Sequence, residues 1–268
     1  MKILFFHPFS FIRILRKGAT AKNELASMAD SPLVEETHGF KILIDPKDKG
    51  VSASISLFGA AEPCVTEVFR RITKKGMTVL DIGANIGWYT MLGSSLVGTN
   101  GKVIAVEPEP TNFEMLSKSV ELNRIENVNL LNACVAQSAG KVKLFLSPSN
   151  RGGHSIMYKT GRYVESEAIT VDQIVAKFGS IDIVKIDAES AEPMILAGAS
   201  RLLDEDLPLH IIMEYSPQAW KASGGTASKL FERFQIFKIN TSPYLLSRLS
   251  SFEDLPPDKQ SMLYLRKS

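Results

Sequence analysis

Two periodicities divide the chain. From residue 77 onward, short runs apolar almost throughout, MTVLDI (77–82), KVIAVE (102–107), NVNLL (127–131), IDIVKID (181–187) and LHIIMEY (209–215), alternate with stretches of helical spacing. Runs of this kind predict strands buried on both faces, and their alternation with helices predicts a parallel sheet covered on both sides. A helix is expected from Gly87 to Val97. The next follows Pro110 and ends near Asn123, with Thr111 and Glu114 spaced as a capping box and Phe113, Leu116 and Val120 facing inward. KVKLFL (141–146) and ESEAITV (165–171) read as extra strands flanking a glycine-bearing loop, and FQIFKI (234–239) with SMLYLR (261–266) as a closing antiparallel pair.

Upstream, FKILI (40–44) and VSASISLF (51–58), joined by the polar DPKDKG, read as a β-hairpin. Glu62 and Pro63 open a helix with Val65, Val68, Phe69 and Ile72 on one face, closed by Gly76. Residues 17–39 are polar and small and read as a linker with one weak helix. The expected architecture is α/β: a mostly parallel doubly wound sheet with a C-terminal antiparallel pair and an N-terminal hairpin and helix extension. An arm (1–39) precedes one domain (40–268), in which 40–76 lead into a Rossmann-like core at 77–268.

Composition narrows the function classes. The 268 residues are 44% hydrophobic and 22% charged, which excludes a disordered chain. With 31 basic and 29 acidic residues the net charge is +2, so no basic face and no nucleic-acid partner are expected. Cys64 and Cys134 lie far apart, without metal-ligand spacing or a disulfide framework, which points to a reducing cytoplasm. The N-terminal MKILFFHPFSFIRILRK is apolar and basic together. Its run is broken by His7, Pro8 and Arg13, unlike a signal peptide, and is too short to span a bilayer. An arm packed on the domain or on a second subunit is favoured; a helix lying on a membrane surface stays open, as does a homo-oligomer.

The chemistry concentrates in VLDIGANIGWYT (79–90), a strand entering a glycine turn that opens a helix. Gly83 and Gly87 permit a tight turn and close approach of a ligand to the backbone, which Ala84 and Asn85 also offer. A dinucleotide fingerprint would place glycines where Asn85 and Trp88 stand, which weakens a nicotinamide oxidoreductase. Asp81 ahead of the glycines would repel a pyrophosphate and welcome a cation. S-adenosylmethionine, with an ammonium and a sulfonium and no phosphate, meets that demand. Glu107, followed by Pro108 at the end of the next strand, is placed to accept both ribose hydroxyls. No G-K-[ST] follows a glycine loop, so P-loop chemistry is excluded.

GAAEP (59–63), VLDIGANIGWYT (79–90), GKVIAVEPEPTNFEML (101–116), ITVDQIV (169–175) and VKIDAESAEPMILAGA (184–199) resemble, in order, the FkbM family of S-adenosylmethionine-dependent methyltransferases. The resemblance implies a class I methyltransferase fold and methyl transfer to hydroxyls of sugars, glycolipids or secondary metabolites. Glu62 joins Asp81, Gly83, Ala84, Asn85, Gly87, Glu107, Pro108 and Asp187 as candidate cofactor-binding residues. Where the family commonly has Asp-x-Glu-Gly-Ala-Glu, Ser190 replaces the glycine, and its side chain is expected to alter the acceptor pocket.

Methyl transfer depends mainly on positioning, but a hydroxyl acceptor must lose its proton. Asp187 and Glu189, after the fourth strand, lead as catalytic candidates, with His154 in RGGHS (151–155) beside them. Acids stabilising a helix N-terminus and a solvated loop histidine are the bland alternatives. Glu214 is a further acid at a strand end; with Asp187 and Glu189 it offers oxygen ligands to a divalent cation, although the spacing shows no tight cluster. A small-molecule or glycan acceptor is expected, N-methylation is the nearest alternative, and a non-catalytic binding module is a third reading.

Overall fold

The computed structural model describes residues 31–147, 153–157, 161–224, 227–241 and 245–267. Residues 1–30 of the N-terminal arm, and with them the membrane-contact reading, lie outside the described residues, while Leu33–Thr37, expected as part of a linker with one weak helix, form a strand. Along the chain run strands β1 (Leu33–Thr37) and β2 (Phe40–Ile44), helices Val51–Phe58 and Pro63–Ile72, β3 (Thr78–Ile82), helix Trp88–Val97, β4 (Lys102–Val106), helix Pro110–Leu122 and β5 (Val128–Leu131). Then come β6 (Cys134–Val135), β7 (Gly140–Phe145), β8 (Tyr163–Ile169), helix Val171–Phe178, β9 (Ile183–Ile186), helices Glu192–Ala197 and Ser200–Asp204, and β10 (Leu209–Tyr215). After the helices Pro217–Ser223 and Leu230–Arg233 the chain closes with β11 (Gln235–Ile239), β12 (Leu246–Arg248) and β13 (Ser261–Lys267).

The main sheet has the order β12-β11-β13-β10-β9-β3-β4-β5. From β10 to β5 every pairing is parallel; β13, β11 and β12 join antiparallel. The doubly wound sheet and its antiparallel closing pair are therefore as the hydrophobic pattern predicts, with β12 an added edge strand. Residues of β3, β4, β9 and β10 such as Leu80, Ile104, Val184 and Ile211 are fully buried. Leu80, Ile82, Val106 and Ile186 pack on one face, and Val79, Val103, Ile183 and Ile212 on the other. Two buried faces explain why these strands read as continuous apolar runs. A smaller sheet, β6-β8-β7, flanks the cleft side.

Three local expectations are corrected. VSASISLF forms a helix, and the hairpin pairs β2 with the upstream β1, antiparallel from Leu33–Ile44 to Thr37–Phe40. Its apolar positions alternate as in a strand, but Ser52 and Ser56 are the buried residues beside Ile55. Asp48 supplies the helix start by accepting from the Gly50 N–H at 3.1 Å and the Ser52 N–H at 2.8 Å. Second, the helix after Pro110 is capped by Glu109, which accepts from the Asn112 N–H at 2.7 Å, and not by Thr111 with Glu114. Third, the strand expected to reach 171 ends at Ile169, because Thr170 and Gln173 form a capping box that starts the next helix.

Candidate active site

At the carboxyl ends of β3, β4 and β9 the chain leaves a cleft of about 540 Å³, open to solvent. The turn after β3 forms its floor. Gly83 has φ +74, and a Cβ there would lie 1.9 Å from the Asp187 carbonyl oxygen; at Gly87 (φ +97) it would lie 2.5 Å from Leu116 Cδ1. Gly83 is therefore required by close packing against the Asp187 backbone and Gly87 by its left-handed conformation, demands different from the ligand approach their spacing suggests. Asn85 holds φ +52, where asparagine is among the better tolerated non-glycine residues.

Glu107 follows β4 and is buried, 5% exposed. Its Oε2 accepts from the Asn85 N–H at 2.8 Å and its Oε1 from the Glu109 N–H at 3.0 Å. The two bonds fix the carboxylate plane, and each oxygen retains a second lone pair. Burial pushes its pKa to about 7, against the pull of the two backbone donors.

Asp187 enters from the end of β9. Its Oδ2 meets the ammonium of Lys185 at 2.9 Å. Its N–H donates to the Ile82 carbonyl at 3.0 Å, holding the loop against β3. Glu189 and Ser190 both occupy the left-handed region, at φ +49 and φ +77. Ser190, at the family's glycine position, is 1% exposed and does not line the cleft, so it does not shape an acceptor pocket directly. Glu189 does line it, and burial followed by repulsion from Asp187 and Glu192 raises its carboxyl to about 7. The same two effects, with Asp187 the leading repulsive neighbour, raise Glu214 on β10 to about 8. The Ser155 hydroxyl donates to the Glu189 carbonyl at 2.7 Å, and Ser155 bridges Phe145 in both directions, which pins the adjoining His154 over the cleft. His154 Nδ1 accepts from the Ser147 N–H at 3.0 Å, which places the proton of the neutral ring on Nε2.

The structure thus brings Gly83, Asn85, Glu107, Pro108, His154, Asp187 and Glu189 to one cleft, while Glu62, Asp81, Ala84 and Gly87 stand outside its lining. Asp81 is 1% exposed. It accepts from the Thr90 hydroxyl at 2.6 Å, and burial raises its pKa to about 6 despite that bond. Glu62 caps the Pro63–Ile72 helix at φ +42 and accepts from the Tyr89 hydroxyl at 3.1 Å. Two participants were not singled out from sequence. Glu192 is 0% exposed, with Oε1 accepting from the Ala188 N–H at 3.0 Å. Lys185 is buried in the sheet; the signal was a lysine inside an otherwise apolar strand. Among the described residues no group of three or more His, Cys, Asp or Glu is placed to hold a metal ion, so the alternative in which Asp187, Glu189 and Glu214 serve as cation ligands gains no support.

A parallel sheet ending in a glycine turn, with an acid on the next strand and the cleft at the carboxyl ends, defines a class I S-adenosylmethionine-dependent methyltransferase. Residues 81–242 match the Methyltransferase FkbM domain, more than half of the chain, and the chain belongs to that family. It is similar to methyltransferase sdnD of Sordaria araneosa, 24% identical over 180 residues, which are 54% of this chain and 67% of that protein. It is also similar to a protein-L-isoaspartate O-methyltransferase of Methanococcoides burtonii, 28% identical over 127 residues, 45% of this chain and 60% of that one. Among solved structures, the tRNA (uracil-54, C5)-methyltransferase of Pyrococcus abyssi in complex with S-adenosyl-L-homocysteine aligns at TM-score 0.50 with 11% identity. It covers 90% of this chain and 45% of its own, and shows the shared fold. No described helix is long and apolar enough to cross a membrane.

Proposed function

We propose that the enzyme transfers the methyl group of S-adenosylmethionine to an acceptor hydroxyl on a sugar, glycolipid or secondary metabolite. The observation that carries this reading is Glu189: a cleft-lining carboxyl raised to about 7 beside the loop that carries Asp187. A base poised near neutrality suits proton removal from a hydroxyl as the carbon–oxygen bond forms and the sulfonium leaves as a neutral thioether. In this reading Glu107 would accept the ribose hydroxyls, Asn85 and Pro108 would hold the adenosine, and Gly83 and Asp187 would hold the methionine end. Asp187, anchored by Lys185, would orient the cofactor, and His154 stands at the cleft as a second candidate to contact the acceptor.

The neighbouring acids Glu189, Glu192 and Glu214 also support an amine acceptor, since mutually repelling carboxyls attract a cation. The discriminating experiment incubates the protein with methyl-labelled S-adenosylmethionine and three panels: hydroxylated glycans and lipids, small amines, and RNA. Label on a glycan or lipid oxygen is the expected result. Label confined to amines or to RNA bases refutes hydroxyl transfer.

A further inference from the structure

Lys185 does more than anchor Asp187. It lies on β9 beside Asp81 of β3 in parallel register, and its side chain is 1% exposed. Its ammonium stands 2.9 Å from Asp187 Oδ2, 3.7 Å from Glu62 Oε2 and 4.8 Å from the centre of the Tyr89 ring. One buried cation therefore serves three acids from three elements: Asp81 of β3, Asp187 at the end of β9, and Glu62 at the start of the Pro63–Ile72 helix. A buried ammonium is costly unless paired, so its retention requires these partners. Glu62 is held in turn by the Tyr89 hydroxyl, in a left-handed conformation that a glutamate adopts only when its surroundings impose it.

We propose that Lys185 is a positioning residue for the aminoacyl end of S-adenosylmethionine, holding Asp187, whose backbone stands against Gly83, and Glu62 as oriented carboxylates. The proposal rests on the placement of the cofactor given above. Lys185 itself is sealed from the cleft, so it acts through the two acids. With the ammonium in place, three ionised acids leave two negative charges uncompensated, which suits the α-ammonium and sulfonium of the ligand and requires its α-carboxylate to be turned away from them. Without it, three close carboxylates cannot all remain ionised, and Glu62 and Asp187 lose both charge and anchor. The charges that bear on this balance are Asp81 with its Thr90 hydroxyl, Glu62 with Tyr89, Asp187, and Glu214 on β10, which also feels Lys185. Burial alone would lower the lysine pKa, but Asp187 and Glu62 outweigh it and hold Lys185 protonated.

The test measures the affinity of wild type and Lys185→Met for S-adenosylhomocysteine and for 5′-methylthioadenosine, which lacks the aminoacyl group, by calorimetry across pH. The expected result is a loss of about tenfold or more for S-adenosylhomocysteine, with methylthioadenosine changed by less than about twofold. Affinity for S-adenosylhomocysteine should also recover as pH rises, because its acid limb moves upward when the acids lose their cation. An equal loss for both ligands, or an unmoved pH limb, overturns the proposal and makes Lys185 structural. If Lys185→Met does not fold, Glu62→Gln replaces it: unchanged S-adenosylhomocysteine affinity there overturns the proposal, and selective loss supports it. Failure of wild type to bind either ligand refutes the cofactor placement instead.

Discussion

Replacing Glu107 by glutamine separates the two things its carboxylate does. In the ligand-free protein the buried acid favours its neutral form: the rise from the ordinary 4.5 to about 7 corresponds to about 3 kcal/mol at about 1.4 kcal/mol per pKa unit. A carboxyl whose folded pKa is raised contributes stability below its unfolded value and loses that contribution as pH climbs through the folded value. Wild-type stability should therefore fall between about pH 4.5 and 7, and the fall should be smaller in Glu107→Gln by up to about 3 kcal/mol. Comparing the slopes removes the constant cost of turning an amide –NH₂ toward the Asn85 or Glu109 N–H, about 1 to 3 kcal/mol at any pH. Ligand binding should run the other way. Wild-type affinity for S-adenosylhomocysteine falls as pH drops through about 7 and Glu107 takes up a proton. The variant binds about 10 to 100 times more weakly at pH 8, and its affinity loses that limb. Chemical denaturation over pH and calorimetry with S-adenosylhomocysteine read both quantities. Parallel stability curves in the two proteins, or a retained affinity limb near pH 7, refute Glu107 as a buried, ribose-binding carboxylate.

Glu189→Gln should lower kcat by about 10² to 10⁴ with S-adenosylmethionine affinity nearly unchanged, measured by initial rates with an acceptor found in the panels; equal losses in kcat and affinity contradict the base role. Gly83→Ala places a methyl against the Asp187 carbonyl and should cost about 4 kcal/mol or more, seen as loss of the folded fraction on denaturant titration. Ser190→Gly should stabilise by about 1 kcal/mol through relief of φ +77, with unchanged acceptor range, and a lowered melting temperature would show that the serine side chain contributes more than its strain.

The strands of the parallel sheet were legible because both faces of β3, β4, β9 and β10 are buried, so burial wrote itself into uninterrupted apolar runs. Glu107 was legible for a related reason: a strand end followed by an acid has few uses in such a sheet. The Val51–Phe58 helix was not, because two of its three buried positions are serines, and the partner that starts it, Asp48, sits in what reads as a turn. Asp81 was recognised as an acid ahead of the glycines. Its seclusion behind Thr90 depends on the register between β3 and the Trp88–Val97 helix, which no linear spacing encodes.

Lys185 shows what distinguishes the two kinds of position. On β9 the pattern Ile183, Val184, Lys185, Ile186 breaks only at the lysine, and every one of the four residues is buried. A lysine replaces an apolar residue inside a sheet at a desolvation cost of several kcal/mol, which only close carboxylates offset. The anomaly in the run therefore predicts that acids must arrive from elsewhere in the chain, although it cannot say from where. The fold answers with Asp187 two residues on, Asp81 across the sheet, and Glu62 from a segment more than a hundred residues earlier. The core was readable position by position because burial acts on each residue alone. The site was readable only as a set of unmatched demands, a lysine without an acid and an acid without a cation, which the folded chain satisfies by bringing Lys185 to Asp187 and Glu62.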